Sequence, residues 1–107
     1  MQIQMQAFAK RSRSLRRVIT EDLCNHEHEV LYVEKCLDPE RAKGWGKIHG
    51  KEMPGVLNIE WDPDQQMLIV RAIARKRNKP YQLLGTFMEY LMERHGGKIT
   101  SINLQLR

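Results

Sequence analysis

Cysteine is scarce in this chain, and long apolar runs are missing from it. Only two cysteines occur and no secretory signal precedes them, which predicts free thiols in a reducing, cytoplasmic compartment. No apolar run approaches the ~20 residues needed to cross a bilayer, so we expect no membrane partner. No internal repeat, low-complexity tract or linker divides the 107 residues, and this length is typical of one domain.

The local motifs of catalysis are also missing. The sequence has no G-x-S-x-G elbow and no cysteine-nucleophile signature. The segment Gly44–Gly50 is not a phosphate-binding loop, because Lys51 is followed by an acid rather than by Ser or Thr. His95 is explained as a cation at a helix end, and Asp62 and Asp64 as turn residues. We expect no enzyme and no cofactor, although a catalytic pair formed by distant residues stays open.

One group of residues has the chemistry of metal ligands. Cys24, His26 and His28 recur at every second position, and Cys36 follows. Thiolate and imidazole are ligands that suit zinc. The spacing is not that of the usual paired ligands, however, and a polar helix-to-strand connection with a half-buried cysteine explains the segment better. We therefore predict no metal site.

The second half of the chain has the clearest secondary-structure pattern. Alternation over Gly55–Trp61 and Met67–Arg75 predicts two strands joined by a turn at residues 62–65. Both faces of the second strand start apolar, which predicts a central strand or a face covered by a partner. Apolar residues at helical spacing predict a helix over Tyr81–His95. Alternation over Lys98–Leu106 predicts a last strand.

Four residues predict how that helix begins, packs and ends. Asn78 has a side chain suited to capping, and Pro80 suits the first turn. Gly85 costs ~1 kcal/mol relative to alanine inside a helix, which predicts that the helix approaches the sheet closely there. Gly96 is the expected left-handed residue after the last turn.

The first half of the chain has weaker patterns. A strand is predicted over Met1–Ala7, within a basic arm at residues 1–13, and a second over Glu29–Cys36. A helix capped by Ser14 is predicted over residues 14–23, with a strand over residues 15–20 as the alternative. The glycine-rich stretch Lys43–Gly55 is predicted to be a mobile loop.

The predicted elements follow the order β-α-β-loop-β-β-α-β. This order defines a single α+β domain spanning residues 1–107. We expect a mainly antiparallel sheet of about four to five strands, with two helices packed on one face.

Charge is segregated along the chain more than its net value of +5 suggests. Residues 1–20 hold five cations and no acid, whereas residues 21–40 hold seven acids and one lysine. A second acid-free basic run lies at residues 75–79. Segregated positive charge favours a polyanionic partner. Basic and acidic patches that meet in a homodimer would explain the same pattern.

We therefore expect a non-enzymatic module that binds the phosphate backbone of RNA or DNA. Trp45 lies among lysines and could stack on a base, although packing on the core is the more common position of a lone tryptophan. The run at residues 75–79 precedes a helix N-terminus, which attracts anions. The expected contact residues are Lys10, Arg11, Arg13, Arg16, Arg17, Lys43, Trp45, Lys47, Arg75, Lys76, Arg77 and Lys79.

Two other functions are kept as alternatives. The first is a homo-oligomeric interaction protein with no nucleic-acid role. The second is a small-molecule binder or enzyme that uses the glycine-rich segment 43–55 as a lid over a pocket.

Overall fold

Six strands and two α-helices make up the part of the chain that the computed structural model describes, residues 2–11, 13–34, 36, 46–75 and 78–106. The strands are β1 (Gln2–Ala9), β2 (Leu31–Val33), β3 (Gly46–Gly50), β4 (Val56–Asp62), β5 (Met67–Ile73) and β6 (Ile99–Leu106). The helices are α1 (Leu15–Asn25) and α2 (Tyr81–His95), and a 3₁₀ turn (Gly96–Lys98) joins α2 to β6.

The strands form one sheet in the order β2-β3-β4-β5-β1-β6. Every neighbouring pair is antiparallel. The predicted α+β class with an antiparallel sheet is confirmed, but the sheet has six strands rather than four or five. The predicted central strand is also confirmed, since β5 lies between β4 and β1 and pairs with both.

The additional strand is β3, where the sequence predicted a mobile loop over residues 43–55. That prediction is wrong for Gly46–Gly50, which pairs with β2 on one side and with β4 on the other. Its glycines face the helices and leave little room: a Cβ at Gly46 would lie 3.1 Å from Thr20 Cγ2, and one at Gly50 2.9 Å from Leu83 Cδ1. Glycine is a weak strand former, so close packing and not local preference places it here.

The hydrophobic core lies between one face of the sheet and both helices. Alternate residues of the central strands point into it, such as Met5, Ile59 and Val70, all fully buried. They form one cluster with the apolar stripes of the helices, for example Ile19 of α1 and Phe87 of α2. The packing of two helices on one face is as predicted, and the period-two pattern of the strands decides which side chains reach them.

Helix α1 replaces the alternative of a strand at residues 15–20. Ser14 caps it as predicted, because its Oγ accepts a hydrogen bond from the Arg17 N–H at 3.3 Å. Helix α2 has the predicted bounds, but the details at its ends differ. Pro80 occupies the N-cap position without a side-chain cap, and the N–H of Asn78 donates to the Arg75 carbonyl instead. Asn78 is therefore not the cap.

Both glycine predictions for α2 are wrong. Gly85 is exposed, and a Cβ there would meet nothing within 4 Å. Gly96 has φ −58° and continues into the 3₁₀ turn rather than adopting a left-handed conformation. The face of α2 that meets the sheet is set by its larger apolar residues, so the glycine lies on the solvent side.

Cys24 and Cys36 form a disulfide, with their Cα atoms 5.8 Å apart. The prediction of free thiols is therefore wrong. The bond ties α1 to the residues that follow β2, and it was not evident from spacing because twelve positions separate the two residues. Neither described helix is both long and apolar enough to span a bilayer.

Candidate functional site

Exposed cations gather where β1 ends. Lys10, Arg11 and Arg13 lie in the connection between β1 and α1 and are exposed. The Lys10 N–H donates to the carbonyl of Lys98 at 2.9 Å, which brings the exposed Lys98 beside them. We call Lys10, Arg11, Arg13 and Lys98 the basic end. Sequence analysis missed Lys98, because only the pairing of β1 with β6 brings it there.

The two arginines of α1 do not extend this surface. Arg16 is buried, with 7% of its surface exposed. Arg17 is partly exposed, and its Nε donates to Glu21 Oε1 at 3.2 Å, one helical turn away. Both were predicted to contact nucleic acid. Their side chains are instead engaged within the protein, one by burial and one by an ion pair.

Arg75 and Lys79 lie at the opposite end of the sheet. Ile73, the last residue of β5, pairs with Gln2 at the start of β1, whereas the basic end follows the last residue of β1. The eight residues of β1 span ~26 Å at about 3.3 Å each. Both cations are exposed, and the Nζ of Lys79 lies 5.7 Å from the centre of the Tyr81 ring.

Lys47 lies on β3, the strand next to the edge strand β2. Its Nζ is 4.0 Å from Glu34 Oε2, and the neighbouring His49 Nε2 is 3.4 Å from the other oxygen of the same carboxylate. His49 also stacks on Tyr32 at 5.5 Å. The remaining predicted contact residues lie outside the described ranges: Lys43, Trp45, Lys76 and Arg77. The exposed cations among the described contact residues are therefore divided between the two ends of the sheet and β3.

The segment considered as a lid and the group of cysteines and histidines both have structural explanations. Gly46–Gly50 is a paired strand of the sheet, so this part of the segment is not a lid. The sulfur atoms of Cys24 and Cys36 are bonded to each other and cannot serve as thiolate ligands. No group of three potential metal-ligating side chains is found among the described residues.

A polar cluster between the helices went unnoticed in the sequence. The Tyr90 hydroxyl donates to Asp22 Oδ2 at 2.5 Å, and Arg94 Nη1 donates to the same oxygen at 3.2 Å. His95 Nε2 lies 3.0 Å from the Tyr90 oxygen. Because the single phenol proton goes to Asp22, the imidazole N–H is the donor in this contact. The four residues connect α2 with α1, and their sequence separation left no local signal.

Burial and hydrogen bonding shift the titration of this cluster. Burial favours the neutral carboxyl, but the hydrogen bonds from Tyr90 and Arg94 outweigh it and lower the pKa of Asp22. Burial, together with the hydrogen bond to Asp22, raises the pKa of Tyr90 above its ordinary value. Burial lowers the pKa of His95 despite the nearby carboxylate. The His95–Asp22 contact at 3.5 Å is thus one between a neutral imidazole and a carboxylate near neutral pH.

A surface groove of about 620 Å³ runs beside this cluster. Its lining includes four glutamates, Glu27, Glu29, Glu89 and Glu93, together with Tyr90 and Arg94. A row of carboxylates repels phosphate, so the groove does not suit a nucleic acid. The polar cluster itself is saturated by internal hydrogen bonds, and we interpret it as a connection between the helices.

Comparisons with known proteins return nothing similar: neither a protein-family model, nor a curated protein, nor a solved structure matches this chain.

Proposed function

We propose that this protein is a non-enzymatic module that binds the phosphate backbone of a nucleic acid at its basic end. The supporting observation is the hydrogen bond from the Lys10 N–H to the Lys98 carbonyl, at 2.9 Å. It brings together two cationic segments from the two halves of the chain. Closely spaced Lys and Arg side chains bind a polyanion by releasing its condensed counterions.

The surroundings of the basic end favour this role. Lys10, Arg11 and Lys98 have no ion pair with any part of the chain that the structure describes. In the hairpin turn at the same end of the sheet, Asp62 Oδ1 accepts the N–H groups of Asp64 and Gln65 at 3.0 and 3.2 Å, so this oxygen is bound within the turn and not to the basic end. These cations are therefore available to an external anion.

Two lysine variants of equal charge test the proposal. Lys10→Gln removes one cation from the basic end, and Lys51→Gln removes one from the exposed turn after β3, at the other end of the sheet. Short fluorescent RNA and DNA oligonucleotides, single-stranded and duplex, are titrated by polarisation from about 50 mM salt upward. We expect Lys10→Gln to weaken binding and to lower the salt slope by ~1, and Lys51→Gln to change neither.

Two outcomes contradict the proposal. The first is no binding of any oligonucleotide by the unaltered protein at the lowest salt concentration. The second is an equal loss in both variants, which would mean that net charge alone drives the association and that the basic end is not the site.

A homo-oligomeric interaction protein is the second candidate, favoured by the exposed outer edge of β6.

The expected cytoplasmic location rested on free thiols, and the Cys24–Cys36 disulfide argues against it, because such bonds persist mainly in oxidising compartments.

A further inference from the structure

The two edges of the sheet differ in how they are protected. β2 forms one edge and has only three residues. β6 forms the other and has eight, and among the described residues no strand lies beyond it. Natural sheets protect long edges with charged residues, proline or a covering element, because unpaired N–H and C=O groups otherwise bind another strand. β6 contains no charged residue and no proline from Ile99 to Leu106.

The exposed side chains of β6 add an apolar stripe to this open edge. Leu104 and Leu106 are 48% and 76% exposed. They pair with Met5 and Ile3 of β1, whose side chains are buried in the core, so the two leucines lie on the helix side of the sheet. The helices leave this border of the sheet uncovered, which explains why its leucines remain in contact with solvent.

We propose that the outer edge of β6 pairs antiparallel with β6 of a second copy of this chain, so that the two sheets join into one. The two-fold axis of such a pair is perpendicular to the sheet and keeps both sets of helices on the same side. Residues directly opposite each other in an antiparallel pair point to the same face. The residue of the second copy that lies opposite Leu104 therefore also points to the helix side of the joined sheet.

The sequence of β6 selects one register for this pairing. When the axis passes beside Leu104, each Leu104 lies opposite the same leucine of the second copy, and each Ile102 lies opposite Leu106. On the other face each Asn103 lies opposite Gln105. Apolar side chains then meet apolar ones, and amides meet amides, in every opposed pair from residue 102 to residue 106.

This self-match argues for a second copy as the occupant. An uncharged strand meets no like-charge repulsion when it pairs with itself, whereas charged edge strands do. A shift of the register by one residue would place Leu104 opposite a polar residue of the second copy and is therefore disfavoured. Antiparallel pairing at one shared edge also closes after two copies, since each β6 has a single outer edge.

The pairing also changes where the cations lie. Lys98 precedes the start of β6, and Arg75 of the second copy lies just beyond the end of its β5, which neighbours β1. In the antiparallel pair, Lys98 of one copy and Arg75 of the second copy lie at the same end of the strands of the joined sheet. They are three strand spacings apart, ~14 Å at about 4.8 Å each. Two basic surfaces that one chain separates would then border each other in the dimer.

A charge swap at Leu104 tests the inference without nucleic acid. Sedimentation equilibrium of the full chain should give twice the chain mass of 12.6 kDa. Leu104→Glu and Leu104→Lys each place two like charges directly opposite each other, so we expect each to weaken dimerisation by at least about tenfold. An equimolar mixture of the two variants pairs opposite charges and should recover the dimer.

Met92→Glu is the matched control, because Met92 is an exposed apolar residue of α2 with 57% of its surface exposed, and the dimer should tolerate it. Circular dichroism confirms that each variant is folded. A monomer at the highest attainable concentration overturns the inference. So does a dimer that survives Leu104→Glu, or a mixture of the Leu104 variants that stays monomeric. These masses are independent of polynucleotide binding, so the failure of one proposal leaves the other in place.

Discussion

The Tyr90 hydroxyl of α2 donates a 2.5 Å hydrogen bond to Asp22 Oδ2 of α1. Sixty-eight positions separate the two residues, and the contact is the centre of the polar cluster between the helices. Arg94 and His95 complete it from the last turn of α2. The cluster therefore fixes the position of α1, whose start follows the basic end, relative to α2, whose end leads into Lys98.

Removal of the Tyr90 hydroxyl should destabilise the fold. Tyr90→Phe deletes a hydrogen bond to a carboxylate in a side chain with only 1% of its surface exposed. We expect a loss of ~1.5–3 kcal/mol in the free energy of unfolding, measured by urea denaturation. Tyr81→Phe, at an exposed tyrosine of the same helix, should cost less than about 0.5 kcal/mol. Equal effects in both variants would contradict a role for the Tyr90–Asp22 bond.

The same cluster predicts that stability falls as the solution is acidified. Burial lowers the pKa of His95 below 6.5, so below that pH the unfolded chain binds a proton that the folded chain does not. The contribution of His95 to the free energy of unfolding is fully present above about pH 6.5. It is lost as the pH falls toward the lower pKa that His95 has in the folded chain. Asp22, whose pKa is held below 3.8 by its hydrogen bonds, adds a second loss at lower pH.

Thermal melts between pH 8 and pH 3 measure this dependence, and His95→Gln isolates the share of His95 from that of the other histidines. The amide of glutamine can still donate to the Tyr90 oxygen. We expect the variant to lose the decline that begins below about pH 6.5 and to keep the one in the range of Asp22. An unchanged profile between pH 6.5 and 4 would refute the assignment to His95.

The sequence predicted the elements whose periodicity is strong and local. The Val56–Ile73 hairpin and α2 follow directly from alternation and from apolar residues at helical spacing. Those patterns report burial of one face, which is a property of the element itself. Leu57 and Ile59, two apolar residues of that alternation in β4, are accordingly both buried in the core.

What the sequence could not predict depends on contacts between distant segments. β3 consists partly of glycines that fit under Thr20 and Leu83, and no local preference marks such residues as a strand. Cys24 meets Cys36, and Tyr90 meets Asp22, only after the helices have packed. The division of the basic segments between two ends likewise follows from strand register, which charge patterning along the sequence does not encode.

The Cys24–Cys36 disulfide should stabilise the protein. It closes a loop over a sequence separation of 12 residues, and restriction of the unfolded chain by a loop of this size is worth ~3 kcal/mol. We expect Cys24→Ser/Cys36→Ser to lower the free energy of unfolding by about 2–3 kcal/mol. Thiol titration of the unaltered, denatured protein should find no free thiol, and two free thiols would show that the bond is not formed.

Two glycine substitutions should have opposite effects, because the two backbones differ. Gly55 has φ +100°, and a Cβ there would lie 2.8 Å from the carbonyl oxygen of Ile73. That oxygen belongs to the paired strand β5 and cannot move without disturbing the sheet. We therefore expect Gly55→Ala to destabilise the protein by ~1–3 kcal/mol or more.

Gly85 lies in the middle of α2 on its exposed side, where a Cβ would meet nothing within 4 Å. Gly85→Ala removes backbone freedom from the unfolded chain and adds a better helix former, so it should stabilise the protein by about 0.5–1 kcal/mol. Urea denaturation of both variants gives the two values. A loss of stability in Gly85→Ala would mean that another surface, such as a second copy of the chain, packs against this side of α2.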